Sequence, residues 1–154
     1  MNGRWRRMAE KLALCCLLFV VLPRCEAQNL VPNPSFELTD TCPYTIGFQE
    51  GDQPLYWRTW LNSPEYFNAC ADTSDPLANL VGVPQNGFTF QYAQDGDTYV
   101  GYYAFGIDQQ FREYIGAPLT TPLIVGETYY ASFWANMTNG GSNWPSVGAC
   151  NNMG

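Results

Sequence analysis

The sequence predicts an all-β domain with long loops, carried behind an N-terminal export signal. Three observations predict it. Aromatic residues make up 16% of the 154-residue chain and charged residues only 14%. Fourteen glycines and eleven prolines punctuate it. Beyond the first 27 residues no segment repeats its apolar positions at helical spacing, whereas several short runs alternate with period two.

The N-terminus reads as a secretory signal. Arg4, Arg6, Arg7 and Lys11 form a cationic start, residues 12–22 (LALCCLLFVVL) an apolar run, and Pro23 ends it. Small residues at Cys25 and Ala27 have the spacing a signal peptidase needs, so cleavage is expected after Ala27. A membrane anchor is the alternative, but eleven apolar residues fall short of the roughly 20 needed to span a bilayer. A lipid-modified Cys25 is disfavoured because Arg24 stands where a small residue should precede it. The chain therefore divides into a signal peptide, 1–27, and a module, 28–154.

Cleavage changes the charge. Five of the seven cationic residues and two of the fourteen acids leave with the signal. Arg58 and Arg112 then face twelve acids, a formal charge of −10. Such a chain cannot neutralise phosphates, which excludes nucleic acid and anionic membrane as partners. The remaining 127 residues suffice for one domain with a substantial core. No second apolar stretch reaches spanning length.

Along the module, residues 29–37 (NLVPNPSFE) read as an opening strand, edge-like or bulged because of its prolines. Residues 38–54 are polar and turn-rich. Residues 55–61 (LYWRTWL) form a short strand, and 62–86 a long irregular stretch. Residues 87–92 and 98–105 look like a hairpin joined through Gln94-Asp95-Gly96-Asp97. Residues 111–119 are a further candidate strand. The strongest is 127–137, with Tyr129, Ala131, Phe133 and Ala135 on one face and Tyr130, Ser132, Trp134 and Asn136 on the other. The Tyr129–Phe133 stripe is expected in the core. Nothing tail-like separates Cys150 from Gly154, so the chain reads as truncated inside a domain.

Three cysteines remain after cleavage, Cys42, Cys70 and Cys150. In an oxidising compartment Cys42 and Cys70 are the expected pair, closing a stretch with little regular structure. Cys150 is then either unpaired within the chain or a buried thiol.

Two segments carry a family resemblance. NLVPNPSFE at 29–37 resembles the first strand of galactose-binding-like jelly rolls, the group that includes several carbohydrate-binding modules. LIVGETYYASFWANM at 123–137 resembles a later strand of the same modules, and Pro54-Leu55-Tyr56-Trp57 fits their tryptophan-bearing second strand. The order of Tyr66-Phe67-Asn68-Ala69-Cys70, Val81-Gly82-Val83-Pro84-Gln85-Asn86 and Arg112-Glu113-Tyr114-Ile115 is similar to the N-terminal module of type IX-secreted, OmpA-associated cell-surface proteins of gliding bacteria. The resemblance implies a jelly-roll β-sandwich missing its last strands, whose open edges invite aggregation. It also implies a bacterial outer surface or secreted location, and a structural calcium held by Glu37 with loop carbonyls.

Aromatic side chains bind sugars because a pyranose face stacks on a flat ring. Trp60, Tyr66, Tyr103, Tyr130, Trp134 and Trp144 are candidates, and most aromatics of a β-sandwich are core. Tyr130 and Trp134 stand out as lying opposite the expected core stripe, Trp144 as sitting in a Gly/Asn/Ser-rich loop. Asp95-Gly96-Asp97 lacks the rest of a calcium-binding loop and reads as an ordinary turn. Arg58 and Arg112 are expected to pair with Glu113 or another acid. Asn136-Met137-Thr138 matches a glycosylation sequon that matters only in a eukaryotic secretory pathway.

The chain has no histidine, which excludes Ser-His-Asp and Cys-His nucleophilic sites and histidine-based zinc sites. A glycosidase needs only two carboxylates, and composition does not exclude one. The expected function is a non-catalytic, secreted or surface-displayed module that binds glycan and forms the N-terminal part of a larger protein. The alternatives are a structural or adhesion module without a sugar site, and an accessory domain of a polysaccharide-degrading enzyme.

Overall fold

The computed structural model describes residues 28–48, 53–104, 111–138 and 140. The expected signal peptide and its cleavage point Ala27 lie outside them, as do Trp144 and Cys150. Among the described residues the regular structure is four short strands and one 3-10 turn. The strands are β1 (Arg58–Leu61), β2 (Glu65–Asn68), β3 (Thr98–Gly101) and β4 (Tyr114–Gly116), and the turn is Ala78–Val81. They pair antiparallel in two small sheets, β1 with β4 and β2 with β3. The chain is all-β at this level. No helix among the described residues is long and apolar enough to cross a membrane.

The core is built on β2, whose four residues are all buried. Phe67 lies opposite Tyr99 in the β2–β3 register, their rings stacked with centroids 4.8 Å apart. Phe88 meets Phe67 edge-on at 5.8 Å. Ala71 and Val81 complete the cluster, with Ile46, Val83, Tyr99 and Tyr103 packed around it. Gly101 is required here: a Cβ at this position would stand 2.7 Å from the Phe67 ring. Buried Asn86 closes the loop behind the cluster. Its Oδ1 accepts the Phe88 and Thr89 N–H groups, and its Nδ2 donates to the Gly82 carbonyl and the Tyr99 hydroxyl. An isolated bridge, Gln85 to Phe90, continues this loop.

The opening segment 29–37 is a series of turns instead of the expected strand. Pro32 and Pro34 bring no N–H to a ladder. Between them Asn33 takes φ 46, and Phe36 takes φ 64. Asn33 then supplies by side chain what a strand would supply by backbone. Its Nδ2 donates to the carbonyls of Leu38 and Leu55, its Oδ1 accepts the Leu38 N–H, and its own carbonyl accepts the Trp57 indole.

Three further expectations change. The stretch 62–86 read as irregular contains β2 and the 3-10 turn. The hairpin between 87–92 and 98–105 is absent, because β3 pairs with β2, some thirty residues upstream in sequence. The segment 127–137 joins no ladder among the described residues, and Phe133 of its expected core stripe is 79% exposed. Period-two alternation states which side chains share a face, but a strand also needs a neighbouring backbone to pair with. Residues 111–119 hold a strand only at β4, which pairs with β1 through a register shift between Thr59 and Leu61.

Cys42 and Cys70 are joined, their Cα atoms 5.6 Å apart. The bond ties the turn-rich segment before β1 to the end of β2.

Candidate functional site

Three of the sequence-nominated aromatics, Trp60, Tyr130 and Trp134, face solvent. Tyr130 is 96% and Trp134 82% exposed. The segment that carries them is held at its far end by Asn136 Nδ2 on Gln91 Oε1 and by the Thr138 hydroxyl on the Phe88 carbonyl. Toward its start it is held by Ile124 N–H on the Tyr129 hydroxyl, at 2.9 Å. Tyr66 and Tyr103 belong elsewhere: the Tyr66 hydroxyl is buried and donates to the Phe36 carbonyl, and Tyr103 packs on the core.

Tyr56 is an outward aromatic that the sequence did not single out. Trp57 N–H donates to the Pro54 carbonyl at 3.1 Å, making residues 54–57 a β-turn. Tyr56 occupies its third position with φ 73, a conformation that favours glycine or asparagine and costs a tyrosine about 1 kcal/mol or more. The turn is fixed on both flanks, by Leu55 N–H on the Leu38 carbonyl and by the Trp57 indole on Asn33. The Tyr56 ring, 57% exposed, therefore stands between two open clefts. One is lined by Asp40, Gln53, Trp57 and Arg58, the other by Pro32, Asn33, Pro118 and Thr120. Trp60 on β1 is exposed as well. The sequence signal was a Pro-Leu-Tyr-Trp turn without glycine, which reads as a strand start until the backbone is seen.

Glu37 clasps the Asp95-Gly96-Asp97 turn. Its Oε1 accepts the Asp97 and Thr98 N–H groups, each at 3.0 Å, and the Thr98 hydroxyl at 2.6 Å. The Ser35 hydroxyl donates to Asp95 Oδ2 beside it. These are donors, whereas a calcium ion collects acceptor oxygens. Oε1 is thus engaged as a hydrogen-bonded carboxylate oxygen. Gly96 has φ +66, and a Cβ on it would fall 2.4 Å from the Glu37 carboxyl carbon. Gly96→Ala is expected to destabilise the module by about 2 kcal/mol or more, combining positive φ and overlap. Chemical denaturation checks it, and an unchanged midpoint would remove the clasp from the fold's supports.

Two acids are buried among the described residues, and of these Glu65 is the one the sequence did not single out. Glu65 on β2 is 7% exposed and Glu113, just before β4, 3% exposed. Tyr103 and Glu113 exchange backbone and side-chain bonds: Glu113 N–H donates to the Tyr103 carbonyl, and Tyr103 N–H donates to Glu113 Oε2 at 2.7 Å. Burial first, then the neighbouring Glu113 charge, pushes the Glu65 carboxyl up to about 8. Burial raises Glu113 too, against hydrogen bonds from Tyr103 and Ser63. Glu65 and Glu113 thus form a carboxyl–carboxyl neighbourhood. Its signal, acids set between aromatics on short strands, was present in the sequence but resembles ordinary surface alternation.

Comparison with known proteins finds no matching family model, no matching curated protein and no matching solved structure.

Proposed function

We propose that the chain is an exported, non-catalytic module that binds glycan, a galactose-binding-like jelly-roll β-sandwich preceded by a signal peptide cleaved after Ala27. On this reading it acts secreted or at a bacterial outer surface, as the N-terminal part of a larger protein. The observation that carries the reading is the outward presentation of Tyr130 and Trp134, large rings left in water where a pyranose face can stack. Exposing such rings has no stabilising return in the fold itself, since each gives up the roughly 2 kcal/mol that burial would contribute. The acidic charge of the module directs it away from phosphate-rich partners and leaves uncharged hydroxyl-rich surfaces accessible.

A panel of soluble and insoluble polysaccharides tests it. The mature chain is expected to bind at least one member, with Trp134→Ala and Tyr130→Ala each weakening binding about tenfold while leaving the thermal midpoint within about 2 °C. Binding that both variants retain in full would overturn the assignment of these residues.

One observation favours a second reading, a structural or adhesion module. Leu123, Ile124, Val125 and Phe133, on the same stretch of chain as the two rings, are exposed as well, and apolar groups of this kind suit a protein surface better than a sugar. Sedimentation of the mature chain alone separates the readings, since concentration-dependent association that Phe133→Ser abolishes belongs to the second.

A further inference from the structure

The cleft beside Tyr56 has a chemistry distinct from the Tyr130–Trp134 surface. Arg58 is one of two cations in the module, and its exposed guanidinium has no hydrogen-bond or ion-pair partner among the described residues. It shares the cleft with Asp40, with the Gln53 side-chain amide and with the Tyr56 ring. Trp57 also lines the cleft, its indole committed to Asn33 and its ring tilted against Phe36 at 4.8 Å. The strained Tyr56 backbone is fixed from both flanks, so the ring and the guanidinium two residues on are positioned by the same turn.

We propose that this cleft is a subsite for a single carboxylate-bearing sugar, a uronic acid residue carried on an otherwise neutral glycan. The inference rests on the glycan-binding reading above and names the chemistry of one part of the ligand. Each group has a partner in such a residue. The Tyr56 ring takes a pyranose face, Arg58 takes the carboxylate in a bidentate pair, and Asp40 and Gln53 take ring hydroxyls.

Charge decides between a sparse and a dense uronate. A polyuronate places carboxylates on successive sugars, within a Debye length of about 8 Å of one another and of the cleft. One arginine answers one of them, while Asp40 and the charge of −10 on the module repel the rest. An isolated uronate on a neutral chain gains the arginine contact without that repulsion.

The test uses an array of oligosaccharides with one uronate on several neutral backbones, each paired with its carboxyl-reduced counterpart, together with polygalacturonate. The mature chain is expected to bind at least one acidic member about tenfold more tightly than its reduced form, and more tightly than polygalacturonate. Arg58→Gln is expected to erase the preference, and Arg58→Lys to restore part of it. Tyr56→Gly is expected to weaken both forms without lowering the thermal midpoint, because glycine relieves the positive φ. Equal binding of acidic and reduced forms by the unsubstituted chain overturns the uronate subsite and leaves the glycan reading standing. A preference that survives Arg58→Gln overturns the assignment of this cleft. Binding to no member of the array overturns both readings.

Discussion

Raising the pH from 5 to 9 is expected to lower the thermal midpoint of the mature chain by about 10 °C or more, and Glu65→Gln is expected to abolish most of that fall. Glu65 is buried beside Glu113, and its carboxyl titrates at about 8 in the folded chain against an ordinary 4.5. Below 4.5 both folded and unfolded chains hold the proton, and the site contributes its full stability. Between 4.5 and 8 the unfolded chain has released the proton while the folded chain still holds it, so stability declines by 1.36 kcal/mol per pH unit. The decline levels off above 8, once the folded carboxyl has ionised as well. The total is on the order of 4 kcal/mol, comparable with much of the stability of a small domain. Glu113 acts in the same direction, since burial raises it too. Above 8 the ionised Glu65 carboxylate lies in a buried site beside Glu113, between β2 and the segment leading into β4. Glu65→Gln removes the titration while keeping the shape, so the variant should match the parent at pH 5 and exceed it at pH 9. A flat profile for the parent, or a variant as steep as the parent, would show that the pair does not govern stability.

Breaking the Cys42–Cys70 bond should cost about 3 kcal/mol on the chain-entropy model. The bond closes a loop of 28 residues whose described part contains β1, β2 and turns. Besides the short β1–β4 and β2–β3 ladders, that span is held by side-chain bonds such as those of Asn33 to Leu55 and Trp57. The Cys42→Ala/Cys70→Ala variant is therefore expected to lose about 10 °C in thermal midpoint, and reductant to bring the unsubstituted chain to the same value. Because Cys70 directly follows Ala69, whose N–H donates to the Asp97 carbonyl, loosening it also weakens the entry to β3. A double variant indistinguishable from the parent would show that the hydrogen-bonded turns alone hold this span.

Several features were legible because they depend on composition or on nearest neighbours. The absence of helical periodicity carries the all-β class, and redox arithmetic proposes Cys42 with Cys70. The alternation of 127–137 separates Tyr130 and Trp134 from Tyr129 and Phe133, although the second pair does not form the core stripe that pattern suggests. What the pattern misses is pairing. β2 sits inside a stretch that reads as loop because Pro64 precedes it and Asn68 ends it, and it becomes a strand only when β3 arrives beside it. Glu37 reads as a strand-end carboxylate until the turn at 95–97, some sixty residues on, brings three donors to its Oε1. Tyr56 reads as one residue of an alternating strand, and only the Trp57-to-Pro54 bond shows it at positive φ with its ring between two clefts.

The sequence alone determined the all-β class, the charge and histidine limits on chemistry, and the residue types available for a site. The tertiary structure decided which strands pair, which acids share a buried site and which aromatics face water. The division has one physical cause. Composition and local alternation are properties of neighbours along the chain, whereas strand pairing and burial depend on contacts between segments far apart in sequence, whose partners no local window contains.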